Sequence, residues 1–317
     1  MQKATESAPQ YEDPKHKTFR SADALGKRRI VAVGDLHGDL KSTLNVLRMA
    51  GVIDKEDKWA GGNNTILVQT GDLIDRGEDT VELLELFPRL IKEAYEVGGR
   101  VIQVLGNHEI MNLAGDLRYV SPNEPGFASA AKRALDFSRS GRFGRRLYNV
   151  PLVHQVGDTV FAHGGITPEW SAPNLHHINL QAADQLRRYA VGPNSYMRME
   201  TPPVLGIEGP AWYRGYAKDP EEIACRTLRQ ALNIMNVERM VVGHTLQNNG
   251  RVLSRCNNRF FVIDVGISQA YMGQQAALEI LSGGIVRAIY PTGTETLSRG
   301  KGTWGAFKTK LSSIFKS

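Results

Sequence analysis

A small set of side chains in this sequence could do metal and phosphate chemistry, and they come in short, similar clusters. Asp35 and His37 stand two apart in Gly34-Asp-Leu-His-Gly-Asp39, pairing a hard oxygen donor with an imidazole nitrogen, a combination that suits Zn, Mn or Fe. Asp72, Asp75 and Arg76 follow in Gly71-Asp-Leu-Ile-Asp-Arg-Gly77, and Asn107, His108 and Glu109 in Gly106-Asn-His-Glu109. His163 opens His163-Gly-Gly165, and His244 lies inside Gly243-His-Thr245. One turn of acid and glycine is ordinary turn chemistry. Its recurrence is not.

Each cluster is preceded by an apolar run of strand type: Ile30-Val-Ala-Val33, Thr65-Ile-Leu-Val-Gln69, Val101-Ile-Gln-Val-Leu105, Thr159-Val-Phe-Ala162, Met240-Val-Val242 and, before Asp264, Phe260-Phe-Val-Ile263. In an open α/β sheet, ligands gather where strands end at their carboxyl side. Between the strands, Asp39 is placed to cap a helix with Leu40, Leu44 and Leu47 on one face. Asp79 is placed to cap another, with Val81, Leu84, Ile91 and Tyr95 as its buried stripe and a kink or break near Pro88. Asp219-Pro-Glu-Glu222 starts a third, burying Ile223, Thr227, Leu228, Ala231 and Met235. His108-Glu109 opens like a zinc-protease helix, but Asn112 stands where the second histidine is required. Strand patterns near 239–243, 251–254, 259–264, 276–281 and 284–290 alternate tightly, which calls for mixed rather than purely parallel sheets.

On GDxHG at 34–38, GDxxDRG at 71–77, GNHE at 106–109, HGG at 163–165 and GH at 243–244, the chain resembles the calcineurin-like metallophosphoesterases and, within them, the phosphoprotein phosphatase branch. Gly209-Pro-Ala-Trp-Tyr-Arg-Gly215 is similar to the late arginine motif of the Shewanella-like protein phosphatases. The resemblance implies an α/β fold, a four-layer sandwich of two mixed β-sheets flanked by helices. It implies two divalent metal ions (Mn, Fe or Zn), with Asp35 and His37 on the first, Asp72 bridging, and Asn107, His163 and His244 on the second. It also implies His108 as general acid oriented by Asp75, with Arg76, Asn107 and Arg214 gripping the phosphate. One departure is Leu105, where the branch usually carries an arginine before GNHE.

A chain of 317 residues that is 41% hydrophobic can bury a full core, and a single set of motifs argues for one catalytic domain, 29–295. Residues 1–28 read as a disordered arm, since they lack the apolar centre of a secretory signal and are too rich in acids for a transit peptide. Residues 296–317 read as a basic amphipathic tail. Within it Trp304, Phe307, Leu311, Ile314 and Phe315 oppose Lys301, Lys308, Lys310 and Lys316, so 301–317 could touch a membrane surface or a partner, or pack back on the domain. No stretch reaches the ~20 apolar residues of a membrane span, and a cytoplasmic location is expected. Cys225 and Cys256 have no CxxC or short-spaced histidine partner, so reduced structural thiols are expected. The insert 114–150 carries Arg118, Lys132, Arg133, Arg139, Arg142, Arg145 and Arg146. It reads first as a solvated charged face, with a lid that attracts anions as the alternative.

A net charge of +6 suits an anionic substrate, but a basic run without interleaved aromatics counts against nucleic acid. The favoured function is a metal-dependent phosphoprotein phosphatase acting on phosphoserine or phosphothreonine, with phosphotyrosine open. The competing readings are a dinucleoside polyphosphate or polyphosphate hydrolase and a non-catalytic phosphoprotein-binding module.

Overall fold

The computed structural model describes residues 28–190, 197 and 199–300. The arm and the tail helix expected at the two ends, residues 1–27 and 301–317, lie outside these described residues.

The apolar runs become strands because their β-branched residues have neighbours on both faces. β1 (Arg29–Val33) is buried from Ile30 onward, and β2 (Thr65–Gln69) is buried throughout. β3 (Arg100–Gln103) alternates between buried and half-buried positions, as an edge strand does. β4 (Val153–Val156), β5 (Thr159–Ala162), β6 (Arg239–Val242), β7 (Leu253–Arg255) and β8 (Phe260–Val262) form a second group. β9 (Ala277–Ile280), β10 (Ile285–Tyr290) and β11 (Gly293–Arg299) complete the set. The strands assemble into a six-stranded sheet of order β11-β10-β9-β1-β2-β3 and a five-stranded sheet of order β4-β5-β6-β8-β7. β1, β2 and β3 run parallel, as do β5, β6 and β8, while the remaining pairings are antiparallel. Both sheets are therefore mixed, as expected, and helices flank them. Both sheets contribute to a single apolar core. No helix among the described residues is long and apolar enough to cross a membrane.

The parallel strands set up the site. Because β1, β2, β3, β5, β6 and β8 each end at the same kind of edge, their following loops deliver side chains to a common place. The six strand-then-ligand clusters are those loops.

Several local expectations need correction. The helix Thr80–Glu96 is continuous through Pro88, because Leu83, Leu84, Leu86, Phe87 and Leu90 are buried and outweigh one lost backbone bond. Its Tyr95 is 74% exposed and not core. Asp79 does not cap that helix with its side chain; its carboxylate accepts from the Leu40 amide at 2.9 Å, serving the first turn of the helix Leu40–Met49. Asp39 caps that helix through Ser42, as expected. The helix Glu221–Met235 buries Ala224, Leu228, Ala231, Leu232 and Met235, while Ile223 is exposed. β11 runs from 293 to 299, across the expected boundary at 295, and neither it nor β4 was anticipated. Both are edge strands.

The cysteines are also corrected. Cys225 and Cys256 form a disulfide with a Cα–Cα separation of 5.2 Å. They are 31 residues apart in sequence, so no short-spacing signal could have paired them. The first turn of Glu221–Met235 packs beside the β7–β8 turn, where Glu221 accepts from the Cys256 amide at 3.0 Å and from Arg255 Nε at 2.6 Å.

Candidate metal and phosphate site

Asp72 is the centre of the site. It follows β2 with a backbone φ of 54°, and its Oδ2 lies 3.1 Å from His163 Nε2, 3.7 Å from His37 Nε2 and 3.8 Å from His108 Nε2. These come from three different loops of both sheets. Its other oxygen, Oδ1, accepts from the His108 amide at 3.0 Å, which leaves Oδ2 for the imidazoles. A Cβ on Gly106 would meet that Oδ1 at 2.2 Å, so only glycine lets the β3 loop approach so closely.

Each imidazole has its tautomer set from behind. His37 Nδ1 lies 3.1 Å from the Ile74 carbonyl, His163 Nδ1 2.8 Å from the Thr70 carbonyl, and His244 Nε2 3.0 Å from the Trp212 carbonyl. A carbonyl only accepts, so each of these nitrogens carries the proton and the other ring nitrogen presents its lone pair elsewhere. For His37 and His163 that nitrogen faces Asp72. Asn107 Oδ1 lies 3.0 Å from His163 Nε2.

Three carboxylates share this space. Asp35 accepts from the His244 amide through both oxygens, at 3.1 and 3.2 Å, and a Cβ on Gly243 would fall 2.2 Å from Asp35 Oδ1. Burial, with the charges of Asp264 and Asp72, pushes Asp35 well above the usual carboxylate range. Burial likewise pushes Asp264 up to about 6. Burial opposes ionisation of Asp72 too, yet His163, His108 and His37 hold it well below the usual range. Burial lowers His37 to about 4 and, with His163 and Arg214, lowers His244 to about 2, so these rings stay neutral. Burial works against charging His163 and His108 as well, but Asp72 raises both.

Clustered buried carboxylates with neutral imidazole lone pairs turned on them are the donor set of a divalent cation, which relieves their mutual repulsion. His37 Nε2 lies 3.8 Å from Asp35 Oδ2 and 3.7 Å from Asp72 Oδ2, and the ligating atoms of Asp72, His163 and His244 lie within 4.8 Å of one another. The residues fit metal on both sides of Asp72.

The other anticipated residues surround this centre. His108 Nδ1 donates to Asp75 Oδ2 at 2.7 Å, and both are buried. Arg76 is exposed at the mouth, its guanidinium 4.1 Å from the Tyr119 ring centroid and 6.0 Å from that of Tyr271. Those rings in turn lie 5.2 Å from His108 and 4.9 Å from His37. Arg214 donates to the His244 carbonyl and lies 3.4 Å from Thr245 Oγ1, on the His244 side. His37, Asp72, Asp75, Arg76 and His244 all have φ between 41° and 71°. Non-glycine residues held in that region collect where the surroundings over-determine them, which is common at functional sites.

Four participants were missed or left without a role. Glu109, part of a quoted motif, accepts from the amides of Asp72, Leu73 and Gly106 at 2.9, 2.8 and 2.8 Å and ties two ligand loops together. Asp264 was legible as the end of the last strand-then-acid pattern. Tyr119 and Tyr271 carried no local signal.

The family model for calcineurin-like phosphoesterases matches residues 28–248. The chain is similar to Shewanella-like protein phosphatase 2 of Arabidopsis thaliana, 31% identical over 82% of this chain and 77% of that one. It is similar to Shewanella-like protein phosphatase 1 of Plasmodium berghei, 34% identical over 76% of this chain and 67% of that one. Among solved structures it is similar to the cold-active protein-tyrosine phosphatase of a psychrophilic Shewanella species, with a TM-score of 0.72 and 29% identity over 86% of this chain and 81% of that one. With strand-end clusters, converging donors and a match over most of its length, the chain belongs to the calcineurin-like phosphoesterases and is a metal-dependent phosphoester hydrolase.

Proposed function

We propose that the protein is a phosphoprotein phosphatase that hydrolyses phosphomonoesters at a dinuclear metal centre. The observation that carries this is Asp72, a buried carboxylate with imidazoles from three loops on one of its oxygens. Asp35 and His37 would hold one cation and Asn107, His163 and His244 the other, with Asp72 available to both. Divalent cations held there would supply Lewis acidity toward the phosphoryl oxygens and a bound water of lowered pKa. Arg76 offers a planar fork of donors from the mouth and Arg214 another from the His244 side, so the phosphate is gripped from two directions. Asn107 contributes its amide. His108, its Nδ1 proton held by Asp75, turns Nε2 toward the site and protonates the leaving oxygen.

Ser/Thr and Tyr substrates differ in the group beyond the phosphate. Tyr119 and Tyr271 flank Arg76 with aromatic walls, which favours an aryl ester, and the similar Shewanella enzyme is named a protein-tyrosine phosphatase. The test is a panel of phosphotyrosyl, phosphoseryl and phosphothreonyl peptides beside dinucleoside polyphosphates. Turnover of a phosphopeptide with Mn, lost with chelator and reduced by about 10²- to 10⁴-fold in His108→Ala, is expected. Turnover confined to dinucleoside polyphosphates assigns the site to the competing hydrolase class, and none on any ester points to the binding module.

A further inference from the structure

The basic insert contains one arginine that is not at the surface. Arg133, on the helix Ala130–Phe137, is 1% exposed. Its Nη2 donates to Asp75 Oδ1 at 2.7 Å, its Nε donates to Asn112 Oδ1 at 2.8 Å, and Nη1 donates to Glu124. The guanidinium also lies 4.7 Å from the ring centroid of Phe127 and 5.0 Å from that of Phe137. All three directions of the fork are used, on a plane fixed by aromatic rings.

The contact with Asn112 has a second effect. Because Asn112 Oδ1 accepts from Arg133, its Nδ2 is turned to donate to Asp75 at 2.9 and 3.1 Å and to the His108 carbonyl at 2.9 Å. Asp75 thus receives Arg133 on one oxygen, His108 on the other and Asn112 across both. The carboxylate cannot rotate without breaking a charge-assisted bond in a buried site.

We propose that Arg133 is a positioning residue for the reaction: from beneath the site it locks Asp75 and Asn112 so that the His108 imidazole is aimed at the leaving oxygen. The inference rests on the reading of His108 as general acid given above. It makes the insert a supplier of a buried strut to the active site, so the insert must be seated for proton donation to work.

A general acid matters most for poor leaving groups and little for good ones. The holoenzyme, Arg133→Met, Arg133→Lys and His108→Ala are therefore compared on phenyl phosphate and on 2,4-dinitrophenyl phosphate, with metal content and melting temperature recorded for each. Arg133→Met is expected to lose about 10²-fold in kcat on phenyl phosphate and under about 3-fold on the dinitrophenyl ester. Arg133→Lys, which keeps the charge but not the fork, is expected to fall between, and it carries the same comparison if the methionine variant does not fold. Equal losses of the Arg133 variants on both esters, while His108→Ala stays selective for the poor leaving group, overturn the positioning role alone. A His108→Ala variant equally impaired on both esters overturns the general-acid reading and the role of Arg133 with it.

Discussion

At the scale of single residues, Glu109 shows how the site is held open for metal. It touches no donor atom of the proposed cations; it accepts three backbone amides that fix the Asp72 and Gly106 loops. Burial and the charge of Asp72 raise its carboxyl above the usual range, and the Gly106 and Asp72 amides work against that rise. Glu109→Gln removes part of this support without touching a ligand. A 10- to 100-fold loss of Mn affinity by calorimetry, the range for outer-shell partners, is expected. An unchanged affinity would show that the loops hold themselves. The proposed metal donors and the proposed pair His108 and Asp75 could be picked out in the sequence because each belongs to a strand-end motif only a few residues long. Arg133, Tyr119 and Tyr271 were not, because each reaches the site across a distance that no local spacing encodes. Asn112 was noticed only as a missing histidine, and its contact with Asp75 explains why an amide stands there.

At the scale of elements, the insert and the disulfide are where sequence reasoning fell short. The insert does display charge, with Arg118 paired to Asp116, Lys132 to Asp136 and Arg142 to Glu85. A count of basic residues could not separate these from the one that turns inward. The disulfide joins the helix Glu221–Met235 to the β7–β8 turn across 31 residues. Loop closure of that length is worth about 3–4 kcal/mol in the chain-entropy account, so reduction, or a Cys225→Ser/Cys256→Ser double variant, should lower stability by that order in denaturant titration. A change under about 1 kcal/mol would contradict the pairing. Glu221, beside the bridge, has its carboxyl drawn below the usual value by the Cys256 amide first and then by Arg255. A depressed folded-state value means its support is present above the ordinary glutamate value and fades as pH falls below it. Melting temperatures of wild type and Glu221→Gln should therefore differ at pH 7 and converge in acid; a gap that widens in acid would reverse the assignment. The strand order was legible only in outline. The parallel centre followed from strands that end in ligands, whereas β4 and β11, at sheet edges, bury less and so carry a weaker apolar pattern.

For the whole molecule, the two sheets act as one scaffold because both supply proposed donors: Asp35, His37, Asp72 and Asn107 follow strands of one, His163 and His244 strands of the other. The whole chain carries a net charge of +6, and a phosphoester substrate is an anion. Such a field speeds encounter with phosphorylated substrates and is screened by salt. Raising ionic strength from 20 to about 300 mM is expected to lower kcat/KM on an acidic phosphopeptide several-fold and leave kcat nearly unchanged; equal effects on both would assign the salt response to the site itself. The disulfide also bears on where the chain works, because such bonds persist in oxidising compartments, whereas the reduced thiols expected from sequence go with the cytoplasm.

The central claim is that phosphoester cleavage depends on cations gathered around Asp72. It is tested most directly by following hydrolysis of a phosphotyrosyl peptide by the purified protein after exhaustive chelation and during readdition of Mn. The account predicts no turnover in the chelated protein and recovery that saturates at two equivalents, with no recovery in Asp72→Asn. Turnover that survives chelation, or an Asp72→Asn variant restored by Mn to the wild-type rate, would contradict it.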